Sequence, residues 1–256
     1  MIDLHTHVLP GIDDGAPDLP TAVAMCRMAA ADGCQALVAT PHQRTPRWEN
    51  LDRRALEALR GRLADELGGA IEIHLGGEVR VDSELLAELA AAGADHGPLS
   101  LAGSRYLLVE LDRHRLLVDP REVLHELLVA GWRPIFAHPE MIAPLAADPD
   151  LLAELGAGGA LFQLTAAAVT GELGRTPRQV CQRLLDAGLA HFVASDTHGT
   201  DLRPPGLSRA RRVIAARWGE ETAARLTRDN PRAVLEDRPL PALAAAETAG
   251  AARLAH

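Results

Sequence analysis

The chain has 256 residues, 47% of them hydrophobic, which is enough for one large domain with a buried core. A formal net charge of -9 gives no electrostatic footprint for nucleic acid or an anionic membrane. No apolar run is long enough to cross a membrane, and the start of the chain carries acid in place of the base-plus-apolar pattern of a secretion signal.

The predicted elements alternate along the chain. Apolar runs at 1–5, 36–40, 71–75, 106–110, 134–138, 160–164 and 191–195 read as strands. Helix-period stretches at 21–33, 51–67, 120–131 and 177–188 fall between them, and several end in glycine. This βα rhythm means a parallel sheet, and seven units favour a closed barrel over an open doubly wound sheet. No GxGxxG follows the first strand, which weakens a dinucleotide-binding version. A single domain over 1–235 is expected, with residues 236–256 as a mobile tail.

Cys26, Cys34 and Cys181 form no close pair, which fits a reducing cytoplasm. Six positions after these cysteines stand Asp32, Thr40 and Ala187, so no Cys-x5-Arg phosphatase motif exists. All 26 basic residues are arginine. Without lysine there is no Schiff base, no P-loop lysine and no carbamylated lysine bridging two metals.

The metal-capable residues collect at strand ends. His5 and His7 come with the first strand, and Asp14 lies in the loop beyond. His42, Glu78, Glu110 and His138 follow or end the second to fifth strands, and Asp196 and His198 follow the seventh. The sixth offers only Gln163 and Thr165. Each residue alone has an ordinary explanation, but nine on the rim where βα loops build active sites point to a metal centre. In a strand, residues two apart share a side, so His5 and His7 can grip one ion, as can Asp196 and His198. By the same period Asp3 points inward and is expected to orient a liganding imidazole, while Asp13 only shapes the turn. Five histidines and four carboxylates suit Mn²⁺, Fe²⁺ or Zn²⁺, and exceed the needs of one ion. His74, His96, His125, His191 and His256 are expected to be structural or solvated, and His114 is a weaker site candidate.

In order, DLHTH (3–7), TPH (40–42), the Glu78 of GGEVR, the Glu110 of LLVEL, HPE (138–140) and SDTH (195–198) resemble the PHP superfamily, named for polymerase and histidinol phosphatase. LPGIDDG (9–15) and DNPRAVLED (229–237) look like its branch of bacterial metal-dependent tyrosine-protein phosphatases, encoded with capsule and exopolysaccharide genes. The resemblance spans residues 1–235. It implies an α/β fold, a distorted (β/α)7 barrel like the TIM barrel, and two or three divalent ions, usually Mn²⁺. It also implies that His5, His7, Glu78 and Asp196 hold one ion. Glu78, Glu110 and His138 would hold a second, and Asp14, His42 and His198 a third. Arg203 would bind phosphate. The implied substrate is a phosphotyrosine protein, such as a tyrosine kinase of polysaccharide biosynthesis, in the cytoplasm.

Two positions depart from that branch. Met141 stands where relatives carry a second phosphate-binding arginine, and Gln43 where TPHH is usual. Arg44 and Arg47 are possible substitutes for the missing cation. Two rival readings stay open: a PHP-type phosphatase for a small molecule such as histidinol phosphate or a nucleotide, and a non-catalytic metal-binding regulator.

Overall fold

All seven predicted runs form parallel strands, and two of them continue past a break into a second short strand. The structure is a computed structural model that describes residues 1–82, 84–85 and 99–241. The strands are β1 (Ile2–Thr6), β2 (Ala36–Ala39), β3 (His42–Gln43), β4 (Glu72–Leu75), β5 (Glu78–Arg80), β6 (Tyr106–Glu110), β7 (Arg133–Ala137), β8 (Leu161–Thr165) and β9 (Phe192–Ala194). His96, His256 and the expected tail beyond Pro241 lie outside the described residues.

The longer helices are α1 (Leu19–Ala31), α2 (Arg53–Leu67), α3 (Pro120–Val129), α4 (Pro149–Ala157), α5 (Arg175–Asp186) and α6 (Ser208–Trp218). The first four begin behind an aspartate cap. Asp18, Asp52, Asp119 and Asp148 each accept a hydrogen bond from a backbone N–H of the first turn. These caps put α1 two residues earlier than the hydrophobic period suggests.

The strands pair as two separate parallel sheets rather than one continuous cylinder, in the orders β1-β2-β4 and β3-β5-β6-β7-β8-β9. The chain changes sheet at two breaks. Pro41 interrupts β2 and β3, since it has no N–H to donate and restricts Thr40 before it. Gly76 and Gly77 interrupt β4 and β5, and a Cβ at Gly76 would press on Val38 and Leu101 at 2.9 Å. Past the last strand, Thr197 forms a parallel bridge to Thr6, Asp196 N donates to His5 O at 3.0 Å, and His7 N donates to Thr197 O at 3.0 Å.

Two apolar layers follow from the alternation of strand side chains. Leu37, Leu107, Val109, Phe136, Phe162 and Leu164 pack with the helices. Ile2, Leu4, Val38, Tyr106, Leu108, Ile135 and Phe192 form a second cluster among the strands. The candidate ligands lie beyond its upper edge, where the strands end.

Candidate metal centre

Register delivers the central pair. His42 and Glu78 open β3 and β5 as direct partners, and Glu78 in turn faces Leu108 of β6. Glu110 is the last residue of β6 and pairs with Arg80. His138 follows β7 and Asp196 follows β9, both at positive φ, 35° and 53°. Non-glycine residues pay strain in that region, and such strain gathers where a side chain must be aimed.

The nine candidates converge. Ligand atoms of His5, His7 and Asp196, of His5, Glu78 and His138, of His42, Glu78 and Glu110, and of His7, Asp14, His42 and His198 each lie within 4.8 Å of one another. His5 Nε2 faces His7 Nε2 at 3.2 Å, and each lies 3.4–3.5 Å from Glu78 and from Asp196 Oδ1. His138 Nε2 is 2.8 Å from Glu78 Oε1 and 3.8 Å from Glu110 Oε1. Asp14 Oδ1 is 3.3 Å from His42 Nε2 and 3.2 Å from His198 Nε2.

The donor set fits divalent ions. His42 Nδ1 and Glu78 Oε2 sit buried, 2.7 Å apart, and neither bonds any group beyond the other. Buried polar atoms are almost always bonded, so two lone-pair donors aimed at shared space mark a cation position. Imidazole with carboxylate suits Mn²⁺, Fe²⁺ or Zn²⁺.

The cage holds its charges against burial. Burial opposes charge on His7, but Asp13, Asp196 and Glu78 outweigh it and raise its pKa to about 9. His138 is likewise held up at about 9 by Glu78, Asp196 and Glu110. Burial also opposes ionisation of Glu78 and Asp196, yet the surrounding histidines keep both carboxyls well below the usual range. Glu110 goes the other way: burial, then the charge of Glu78, raises it.

The supports of these residues correct two expectations. Asp3 does not touch an imidazole: it accepts from Ser195 N at 3.0 Å and His5 N at 3.4 Å. The reason is a register shift between Asp3 and Thr6, where three steps of β1 span two of β2. One extra residue breaks the period on which Asp3's orientation rested. Asp13 does more than shape the turn. It accepts from His7 Nδ1 at 2.8 Å, from Gly15 N at 2.9 Å and from His42 N at 3.2 Å. Gly15 must stay bare, because a Cβ there would collide with the His7 carbonyl.

The sequence reading named Gln163 without a role and did not name Trp48. Gln163 Oε1 lies 2.8 Å from His5 Nδ1 and sets that ring's tautomer. Trp48 stacks on His42 at 5.4 Å, and Arg47 covers Trp48 at 4.7 Å. No local sequence signal marks a residue as the ring neighbour of another strand's histidine. Gln43 is buried and ties the chain to Asn50 O and Leu99 N, so this departure holds a loop. Arg44 pairs with Asp82. Arg203, at φ 51°, bonds Asp196 Oδ2 at 2.8 Å. His74 pairs with Glu72, and His125 and His114 are exposed outside the cage. His191 accepts from Phe162 N.

Residues 1–236 match the family model described as Capsular polysaccharide synthesis, CpsB/CapC. The tyrosine-protein phosphatase YwqE of Bacillus subtilis is 33% identical over 232 residues, 89% of each chain. The putative tyrosine-protein phosphatase CapC of Staphylococcus aureus is 32% identical over 80% of this chain and 79% of its own. A crystal structure from a study of YwqE and Streptococcus pneumoniae CpsB, described as unique metal-dependent tyrosine phosphatases, superposes with a TM-score of 0.85 at 31% identity. That match covers 94% of this chain and 96% of the other. The lactonase Lmo2620 of Listeria monocytogenes, with a TM-score of 0.53 at 15% identity over 94% and 95% of the two chains, shares the fold alone.

Proposed function

Because the chain belongs to the CpsB/CapC family of capsular polysaccharide synthesis, we propose that it is a metal-dependent tyrosine-protein phosphatase. The convergence of nine histidine and carboxylate donors on one strand-end cleft carries this reading. The relatives' names favour it over a small-molecule phosphatase or a non-catalytic regulator.

The distances support the three-ion division. His5, His7, Glu78 and Asp196 would hold one ion, Glu78, Glu110 and His138 a second, and Asp14, His42 and His198 a third. Mn²⁺ is the expected ion, with Fe²⁺ or Zn²⁺ compatible with the donors. Bound ions supply positive charge against phosphoryl oxygens and a water-derived nucleophile at neutral pH. The chain's residues do the rest. Gln163 and Asp13 hold the His5 and His7 rings through Nδ1, so both Nε2 atoms face the cleft. Arg203 sits at its edge to receive phosphoryl oxygens. The leaving group is a phenol of pKa about 10, which needs little protonation.

The bridge from Thr6 to Thr197 supports a distorted seven-unit barrel closed through that contact. The family match over 1–236 supports one catalytic domain of that extent. No helix among the described residues is long and apolar enough to cross a membrane, and the reading places the enzyme in the cytoplasm. The substrate is a phosphotyrosine protein, specifically a tyrosine kinase of polysaccharide biosynthesis.

The test is hydrolysis of a phosphotyrosine peptide by the Mn²⁺-loaded chain. Turnover should disappear with chelator and fall at least about a thousand-fold in a folded His5→Ala/His7→Ala variant, the scale of losing central catalytic groups. Unchanged turnover in that variant overturns the proposal.

A further inference from the structure

A dianionic phosphoryl group entering this cleft meets Asp14, Glu78, Glu110 and Asp196, so cations beyond the ions must hold its outer oxygens. Two arginines reach a carboxylate of the cage in the described residues. Arg203 Nη1 bonds Asp196 Oδ2 at 2.8 Å, and Arg113 Nε lies 3.9 Å from Glu110 Oε1. The two carboxylates belong to different parts of the rim, at the ends of β9 and β6.

Both arginines are built in the same way. The carbonyl of Arg203 accepts from His198 N at 3.1 Å and Thr197 Oγ1 at 2.8 Å, which ties its loop to a candidate ligand segment. The carbonyl of Arg113 accepts from Ala143 N at 2.9 Å, which ties its loop to the turn after His138. That turn, Pro139–Met141, contains no cation of its own. Asp112 stiffens the Arg113 loop by accepting from His114 N and Arg115 N. The guanidinium itself is uncommitted: 3.9 Å is a loose ion pair, and the side chain is 41% exposed. Other arginines near the rim are engaged elsewhere, Arg44 with Asp82, Arg47 on Trp48 and Arg80 with Asp112.

We propose that Arg113 is the second phosphate-clamping residue of this site, closing on the phosphoryl group from the Glu110 side while Arg203 holds it from the Asp196 side. The inference rests on the phosphatase reading above. A pinned backbone with a free guanidinium leaves only side-chain rotation between the resting contact and the clamp.

Calorimetric titration of the Mn²⁺-loaded chain with inorganic phosphate tests it, alongside metal analysis and the KM and kcat for a phosphotyrosine peptide. Arg113→Ala should weaken phosphate binding by about ten-fold or more, the scale of a lost charged hydrogen bond, with metal content unchanged. Its KM should rise while Arg113→Lys recovers part of the loss. Unchanged phosphate affinity in Arg113→Ala overturns the clamp. So does a loss of metal that parallels the loss of phosphate, since Arg113 would then only support Glu110. Wild-type protein that binds phosphate with the expected Arg113 dependence but turns over no phosphotyrosine peptide overturns the enzymatic reading and leaves the clamp standing.

Discussion

Among single residues, Asp13 and Asp3 show how one carboxylate comes to serve chemistry and another the backbone. Both are acids near His5 and His7 in sequence. Asp13 holds His7 Nδ1, fixing the ring so that Nε2 points at the cleft. Asp3 instead accepts backbone N–H groups of Ser195 and His5, stitching β1 to the segment after β9. Burial, only partly offset by those bonds, raises Asp3 to about 6. Loss of an outer partner of a liganding imidazole typically costs about 10- to 100-fold in metal affinity or activity. Asp13→Asn should therefore weaken Mn²⁺ binding within that range while the protein stays folded, as read by metal titration and circular dichroism. Metal binding equal to wild type would show that the Asp13–His7 bond is dispensable.

Secondary-structure elements are placed by breaks and caps as much as by apolar pattern. Pro41 and the Gly76–Gly77 pair divide two strands, and the pieces beyond them carry His42 and Glu78 into the second sheet. A cap also joins elements far apart in the chain. Asp32, just past α1, accepts from Leu207 N at 2.7 Å and Ser208 N at 2.8 Å, and so caps α6. α6 follows the loop that holds Arg203, so this cap anchors the far end of that loop. Asp32→Ala should lower unfolding free energy by about 1–2 kcal/mol, read from urea denaturation midpoints. A midpoint shift too small to measure would mean that water replaces the cap at no cost. The sequence reading assigned no helix to α6, and a cap supplied from another element leaves no trace in the helix's own sequence.

For the whole molecule, the end of the strands away from the metal centre sets a pH limit on stability. His191 accepts from Phe162 N and lies under Asn230, whose amide donates to the His191 carbonyl. Burial first, then the charge of Arg225, lowers its pKa from 6.5 to about 4. The unfolded chain takes up the proton near 6.5 and the folded chain does not, so stability is full above that pH and falls as the pH drops toward 4. The total loss reaches up to about 3 kcal/mol. His191→Gln should flatten the decline of the thermal midpoint between pH 6.5 and 4.5 relative to wild type. Parallel declines in the two proteins would assign the acid sensitivity to other groups.

The amino-acid sequence by itself determined the βα order, the nine donors and their position at strand ends. These depend on local propensity, on a period of two or 3.6, and on residue chemistry, all of which are written along the chain. It also determined the departures Met141 and Gln43. Tertiary structure decided what depends on neighbours distant in sequence: that Gln163 orients His5, that Trp48 stacks on His42, and that Gln43 braces a loop. It decided that Asp3 turns to backbone N–H groups, because one inserted residue in β1 breaks the alternation of side chains, and that the loop beyond folds Asp13 back onto the His7 ring. It also bound the loop of Arg113 to the turn after His138, a meeting that no spacing in the sequence encodes.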